Sequence, residues 1–164
     1  MRKQKGFSLV ELLIVVAIIL IIAAIAIPIL LRSRIAANEA SAVGSMRTIN
    51  TAEMTYASTY PAAGFAITLP TLASPGGSAA ACNQPLSTGA CLIDDTLALA
   101  STGANAKSGY YFTIATDANL GYTLKGAPKT QGNTGVKNFY TDATAVIHYT
   151  TDGSVATNAS PAIQ

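Results

Sequence analysis

The sequence predicts an α+β protein, in which a long N-terminal helix packs on a small C-terminal antiparallel β-sheet. The first half of the helix is membrane-spanning and the second half amphipathic. Three observations predict this. From Leu12 to Leu31 no side chain is charged or polar. Beyond Arg32, apolar residues recur at helical spacing as far as Tyr60. From Tyr110 onward, short aromatic and β-branched runs alternate with turn residues.

The chain opens with a basic leader, Met1 to Gly6, MRKQKG. A helix start follows at Ser8-Leu9-Val10-Glu11, which fits the capping pattern S-x-x-E. In that pattern the Ser8 hydroxyl accepts from the Glu11 backbone N–H and the Glu11 carboxylate reaches back. The twenty apolar residues from Leu12 span roughly 30 Å as a helix, the thickness of a bilayer's hydrocarbon core. A secretory signal would have a shorter apolar run and a small-residue cleavage site before a polar mature start. Here the run passes directly into more helix. Arg2, Lys3 and Lys5 hold the N-terminus on the cytoplasmic side by the positive-inside rule, against the weaker opposing pull of Arg32 and Arg34. Pro28 lacks an N–H and is expected to kink or loosen the helix, which membrane helices tolerate.

From Ile35 the pattern becomes amphipathic. Ile35, Ala42, Met46, Ile49, Ala52, Tyr56 and Tyr60 form an apolar stripe. Arg32, Arg34, Asn38, Glu39, Arg47 and Glu53 fall mostly between them. Pro61 ends the helix, because the residue before proline is pushed out of the α region. Residues 61–109 then read as a loop punctuated by Pro and Gly, with a short Asp-capped helical turn around Asp94 to Ala100. The loop holds both cysteines, Cys82 and Cys91. An isolated pair behind a membrane-spanning segment points to an oxidising compartment and one disulfide, with two free thiols as the alternative. Strand signals follow at Tyr110 to Thr116, Gly121 to Lys125, Phe139 to Tyr140 and Val146 to Tyr149. Turns are expected at residues 117–119, at Gly126 to Gly135 and at Asp152-Gly153. Short sequential strands favour an antiparallel meander. The tail, Ala156 to Gln164, is expected to fray.

The expected segments are therefore a leader at 1–6, a membrane-spanning half-helix at 7–31, an amphipathic half-helix at 32–60, a loop at 61–109 and a sheet with its tail at 110–164. The net charge of +2 comes from the leader, since the remaining seven basic residues meet eight acids. No basic face of the kind nucleic acid requires is present, so no nucleic-acid contact is predicted.

The run KGFSLVELLIVVAIILIIAAIAIP resembles the N-terminal signature of the type IV pilin superfamily, which includes type IVa pilins and the pseudopilins of type II secretion. The order is unusual: basic leader, Gly, Phe, a glutamate four residues on, an apolar helix, then Pro. The resemblance covers about the first 35 residues strongly. It implies that Gly6–Phe7 is the junction cut by a prepilin peptidase and that Phe7 becomes an N-methylated terminus. It implies that Glu11 pairs with the terminal amine of a neighbouring subunit and that Pro28 marks where the helix loosens on assembly. It implies as partners further copies of the chain, the peptidase, an inner-membrane assembly platform and, before assembly, the membrane itself. It places the chain first as a single-pass inner-membrane protein with a periplasmic C-terminal part, then in an extracellular filament. The C-terminal part departs from familiar members. Cys82 and Cys91 precede the strands, and there is no Trp. No cofactor, metal or calcium site is expected; Asp94, Asp95 and Asp117 lack ligand spacing.

Catalytic chemistry finds no residues to stand on. The single histidine, His148, lies in a strand pattern and is expected to face solvent. No C-x-x-C, P-loop, G-x-S-x-G or H-E-x-x-H occurs. Between Phe7 and Tyr56 there is no aromatic residue, so no continuous aromatic chain runs along the helix. Three readings compete: a polymerising structural pilin, a pseudopilin of a secretion-type machine, and an anchored binding domain that never polymerises. A plain anchor needs neither Gly6–Phe7 nor Glu11.

Overall fold

A computed structural model of the chain describes residues 6–75, 82, 85–101, 105–117 and 121–163, with only the backbone of 117. Met1 to Lys5 of the leader and the turn residues 118 and 119 lie outside the described residues. The chain divides into two compact units, Met1–Arg34 and Ile35–Gln164.

Helix α1 is Leu9–Thr59 and contributes to both units. Its start is capped as the S-x-x-E pattern requires, with one difference. The Ser8 N–H donates to Glu11 Oε2 at 3.0 Å, but the Ser8 hydroxyl accepts from Val10 N–H at 3.3 Å rather than from Glu11. Cap oxygens serve either of the first free N–H groups. Within the first unit, every large apolar side chain from Phe7 to Leu31 is exposed, from 44% at Leu31 to 79% at Phe7. The helix continues through Pro28.

In the second unit α1 buries Ala42, Met46, Ile49, Ala52 and Tyr56, the stripe that its periodicity marks. The sheet beneath it is an antiparallel meander in the order β1-β2-β3-β4: β1 Tyr110–Asp117, β2 Gly121–Pro128, β3 Asn138–Asp142 and β4 His148–Thr150. Alternation puts Tyr110, Phe112 and Ile114 of β1, Tyr122 and Leu124 of β2, and Phe139 of β3 into the core. Register places Phe112 opposite Gly126, and Gly126 opposite Phe139.

That register corrects one expectation. Gly126 is a strand residue, and β2 runs on to Pro128. A Cβ at Gly126 would lie 3.3 Å from Met46 Sδ and 3.4 Å from a Phe112 ring carbon. The glycine makes room for the helix to approach the sheet, which in sequence looks like a turn.

The tail corrects a second. Tyr149 N–H donates to Pro161 O at 2.9 Å and Ile163 N–H to Ile147 O at 2.8 Å, while Ala156 is buried. The tail therefore pairs beside β4 and satisfies the edge that an unpaired strand would leave open. His148 goes with it. The ring is half-buried, and its Nδ1 donates to Ser160 O at 2.6 Å instead of facing free solvent.

The 61–109 segment holds more order than a loop. Helix α2, Leu69–Leu72, starts with Pro70 in its first turn, and α3, Asp95–Ala98, is capped by Asp94 Oδ2 accepting Leu97 N–H at 3.1 Å. Ala90, Cys91 and Leu92 donate to the carbonyls of Thr71, Ala73 and Leu72. Cys82 and Cys91 form a disulfide with Cα atoms 5.8 Å apart. Leu69, Leu72, Ile93 and Leu97 join the same core as the sheet.

Candidate assembly helix and the contacts that hold it

In the first unit the chemistry is sparse and specific. Gly6 is exposed, and a Cβ there would meet nothing within 4 Å. Phe7 is exposed before the helix begins. Glu11 is the one acid of the helix's first turn, and its carboxylate is exposed, with one oxygen held by its own cap. Beyond it comes an uninterrupted apolar surface with no cover among the described residues. A surface of this kind is stable only in lipid or against other apolar chains. The helix is long and apolar enough to cross a membrane by length and composition.

In the second unit a set of polar contacts fastens α1 just ahead of its first buried residue, Ala42. Asn38 Nδ2 donates to Thr134 O at 2.8 Å. Glu39 Oε1 accepts the N–H groups of Val136 and Lys137 at 3.0 and 3.2 Å, and its Oε2 lies 3.2 Å from Lys137 Nζ. Ser41 Oγ bonds Ser108 Oγ at 2.9 Å. The Tyr110 hydroxyl donates to Lys137 O at 2.9 Å, and burial pushes that phenol well above the usual tyrosine range. Sequence reading placed Asn38 and Glu39 only among the polar residues between the apolar ones. The signal that could have found them is their position, one turn before the first buried residue, Ala42.

Deeper in the interface lies a buried polar group of three. The Tyr122 hydroxyl donates to Asn50 Oδ1 at 2.9 Å, and Asn50 Nδ2 donates to Thr141 Oγ1 at 3.2 Å. Each partner satisfies the other, so none is left to bear an uncompensated desolvation. One turn along α1, Glu53 is fully buried, which corrects its placement among the polar residues. Its Oε2 accepts Ala66 N–H at 2.9 Å, while Oε1 has no partner. Burial raises its pKa to about 7, moderated by the Ala66 N–H.

A hollow of about 740 Å³ lies between Ala36, Ala40 and Val43 of α1 and Phe139, Tyr149 and Ile163. Its only charged residues are Glu39, Arg47 and Lys137. No group of three or more His, Cys, Asp or Glu that could hold a metal occurs among the described residues.

Residues 1–27 match the prokaryotic N-terminal methylation motif. A stretch of 39 residues, 24% of the chain, is 62% identical to the type IV wide pilus major component PilA4 of Thermus thermophilus. The match spans 30% of that protein's length. No solved structure matches the chain.

Proposed function

Starting from a chain whose N-terminal segment carries the methylation motif of type IV pilins, we propose that it is a pilin-type structural subunit that polymerises through α1. The observation that carries this reading is the helix surface from Phe7 to Leu31, apolar and exposed on every side, with Glu11 alone at its head. A lipid anchor explains the apolar surface, and helix capping occupies one oxygen of Glu11, but a carboxylate at the edge of an apolar layer still costs free energy unless a cation meets it.

In the proposed cycle the chain first spans the inner membrane, with Met1 to Gly6 in the cytoplasm and residues 35–164 in the periplasm. A prepilin peptidase cuts between Gly6 and Phe7. Cutting there creates a new α-amino group at Phe7, four residues from Glu11. This amine, methylated, supplies the cation for Glu11 of a neighbouring copy. As the helix leaves lipid, other copies cover its apolar surface, and Pro28, which lacks an N–H for the Ala24 carbonyl, is where the helix loosens to fit. The assembly platform of the inner membrane and the peptidase are the machinery partners. The disulfide suits the oxidising side of that membrane.

The test is electron microscopy of filaments sheared from cells, with mass spectrometry of their N-terminus. Filaments built mainly of a chain starting at methylated Phe7 support a major pilin. The processed chain confined to the membrane fraction supports a pseudopilin instead. An intact Met1 overturns the processing step and leaves an anchored domain.

A further inference from the structure

We propose that Glu53 is a proton-operated latch: when neutral it holds the segment after α1 closed against the helix, and when ionised it lets that segment open. The proposal is independent of filament assembly, and its geometry is local. Glu53 is fully buried on α1 and binds the segment through one bond, Oε2 to the Ala66 N–H. Its second oxygen is buried without a partner. A neutral acid costs less here: its carbonyl oxygen takes the N–H and no charge is buried, although its O–H is left without an acceptor. A carboxylate does not, because one N–H is too little to replace the water it has lost.

Among the described residues, no cation acts on the Glu53 carboxyl. The titratable groups acting at the site are Tyr56 from α1, Tyr122 from β2 and, acting on these in turn, Tyr60 after α1 and Asp142 from β3. None of them carries a positive charge. The Tyr122 phenol is held neutral by burial and is committed to Asn50. The Tyr56 hydroxyl donates to Ser87 O at 2.6 Å. Relief is close at hand, because Phe65 and Ile67, the neighbours of Ala66, line an open hollow of about 250 Å³. A small outward movement of residues 65–67 admits water to the carboxylate. The latch is thus closed in acid and loosens as pH rises from about 4.5 to about 7.

The sign follows from linkage. An acid whose closed-state pKa lies above its open-state value binds more protons when closed, so opening grows with pH between the two values. With the closed group at about 7 and the open group at the ordinary 4.5, the opening constant rises by at most roughly 300-fold, complete a little above pH 7.

The experiment is amide hydrogen exchange by NMR on the full chain in detergent micelles, from about pH 5 to 8.5, corrected for base-catalysed intrinsic exchange. The expected result is that the Ala66 amide exchanges faster than the core amide of Leu124 at every pH. Its opening constant rises on the order of 100-fold across the range, and Glu53→Gln abolishes that rise. A pH-independent Ala66 amide in the wild type, Ala66 and Leu124 exchanging at one rate, or a Glu53→Gln profile that still rises overturns the latch. The wild type also reports without any variant: the carbon-13 shift of the Glu53 carboxyl titrates near 7 if the proposal holds, and at the ordinary carboxylate value if it does not.

Discussion

Replacing both Cys82 and Cys91 by serine tests how the 61–109 segment is held. The bridge closes a loop with a sequence separation of 9. In the chain-entropy treatment a loop of that size restricts the unfolded chain by about 2.6 kcal/mol at 25 °C. Native-side losses are small, because the backbone around Cys91 is fixed independently: Ala90, Cys91 and Leu92 donate to the carbonyls of Thr71, Ala73 and Leu72. Cys91 holds φ at 56°, in the left-handed region. Serine meets the same strain there, so that cost cancels between variant and wild type. The second unit is Ile35–Gln164, about 130 residues, for which the unfolding entropy is roughly 270 cal/mol/K. The expected loss is therefore roughly 10 °C in Tm, measured by circular dichroism on the full chain in detergent, with the same loss when the wild type is reduced. A variant melting within about 2 °C of wild type would refute the argument that loop closure constrains this unit. A loss well beyond 10 °C would show that the bridge holds native structure that the backbone bonds do not.

Two glycines give an opposed pair. A Cβ at Gly135 would sit on the Tyr110 hydroxyl and 2.5 Å from its Cζ, so Gly135→Ala is expected to cost about 1–3 kcal/mol. Gly44→Ala, in an exposed turn of α1 with nothing within 4 Å, is expected to gain about 0.5–1 kcal/mol; denaturant melts compare the two. On the proposed assembly reading, Glu11→Val leaves membrane insertion intact and impairs filament formation, scored by membrane fractionation and filament yield; normal filaments from this variant would remove Glu11 from the mechanism. Gly6→Leu is expected to block processing, and a mature chain that still begins at Phe7 would show that the junction is not read through Gly6.

Where the sequence was legible, a repeating pattern carried the information. Helix α1 spans 51 residues because its first half is uniformly apolar and its second half carries an apolar residue every three or four positions. The meander follows from short β-rich runs with tight connections. What escaped were residues whose meaning depends on distant neighbours. Gly126 resembles a turn until Met46 and Phe112 stand over it. Glu53 resembles a solvated charge, yet it lies four residues after buried Ile49 and three before buried Tyr56, on the same face. The tail has little to bury on its own and gains order by pairing with Ile147 and Tyr149. The proposed assembly residues, Gly6, Phe7, Glu11 and Pro28, are read from their order in the sequence. The fastening at Asn38, Glu39 and Ser41 was not legible, since its partners, Thr134, Val136, Lys137 and Ser108, are between 67 and 98 residues away.

That fastening has a mechanical side. Along α1 the side chains of Asn38, Glu39 and Ser41 come before Ala42, the first fully buried residue. Tension entering the second unit along α1 therefore meets hydrogen bonds and an ion pair before it meets apolar packing. Such directional bonds yield over a few tenths of an ångström and re-form when slack returns, whereas a packed core gives way only by exposing area to water. A pull along α1 would be borne by these hydrogen bonds and the Glu39–Lys137 ion pair before it reached the packing around Met46 and Ile49.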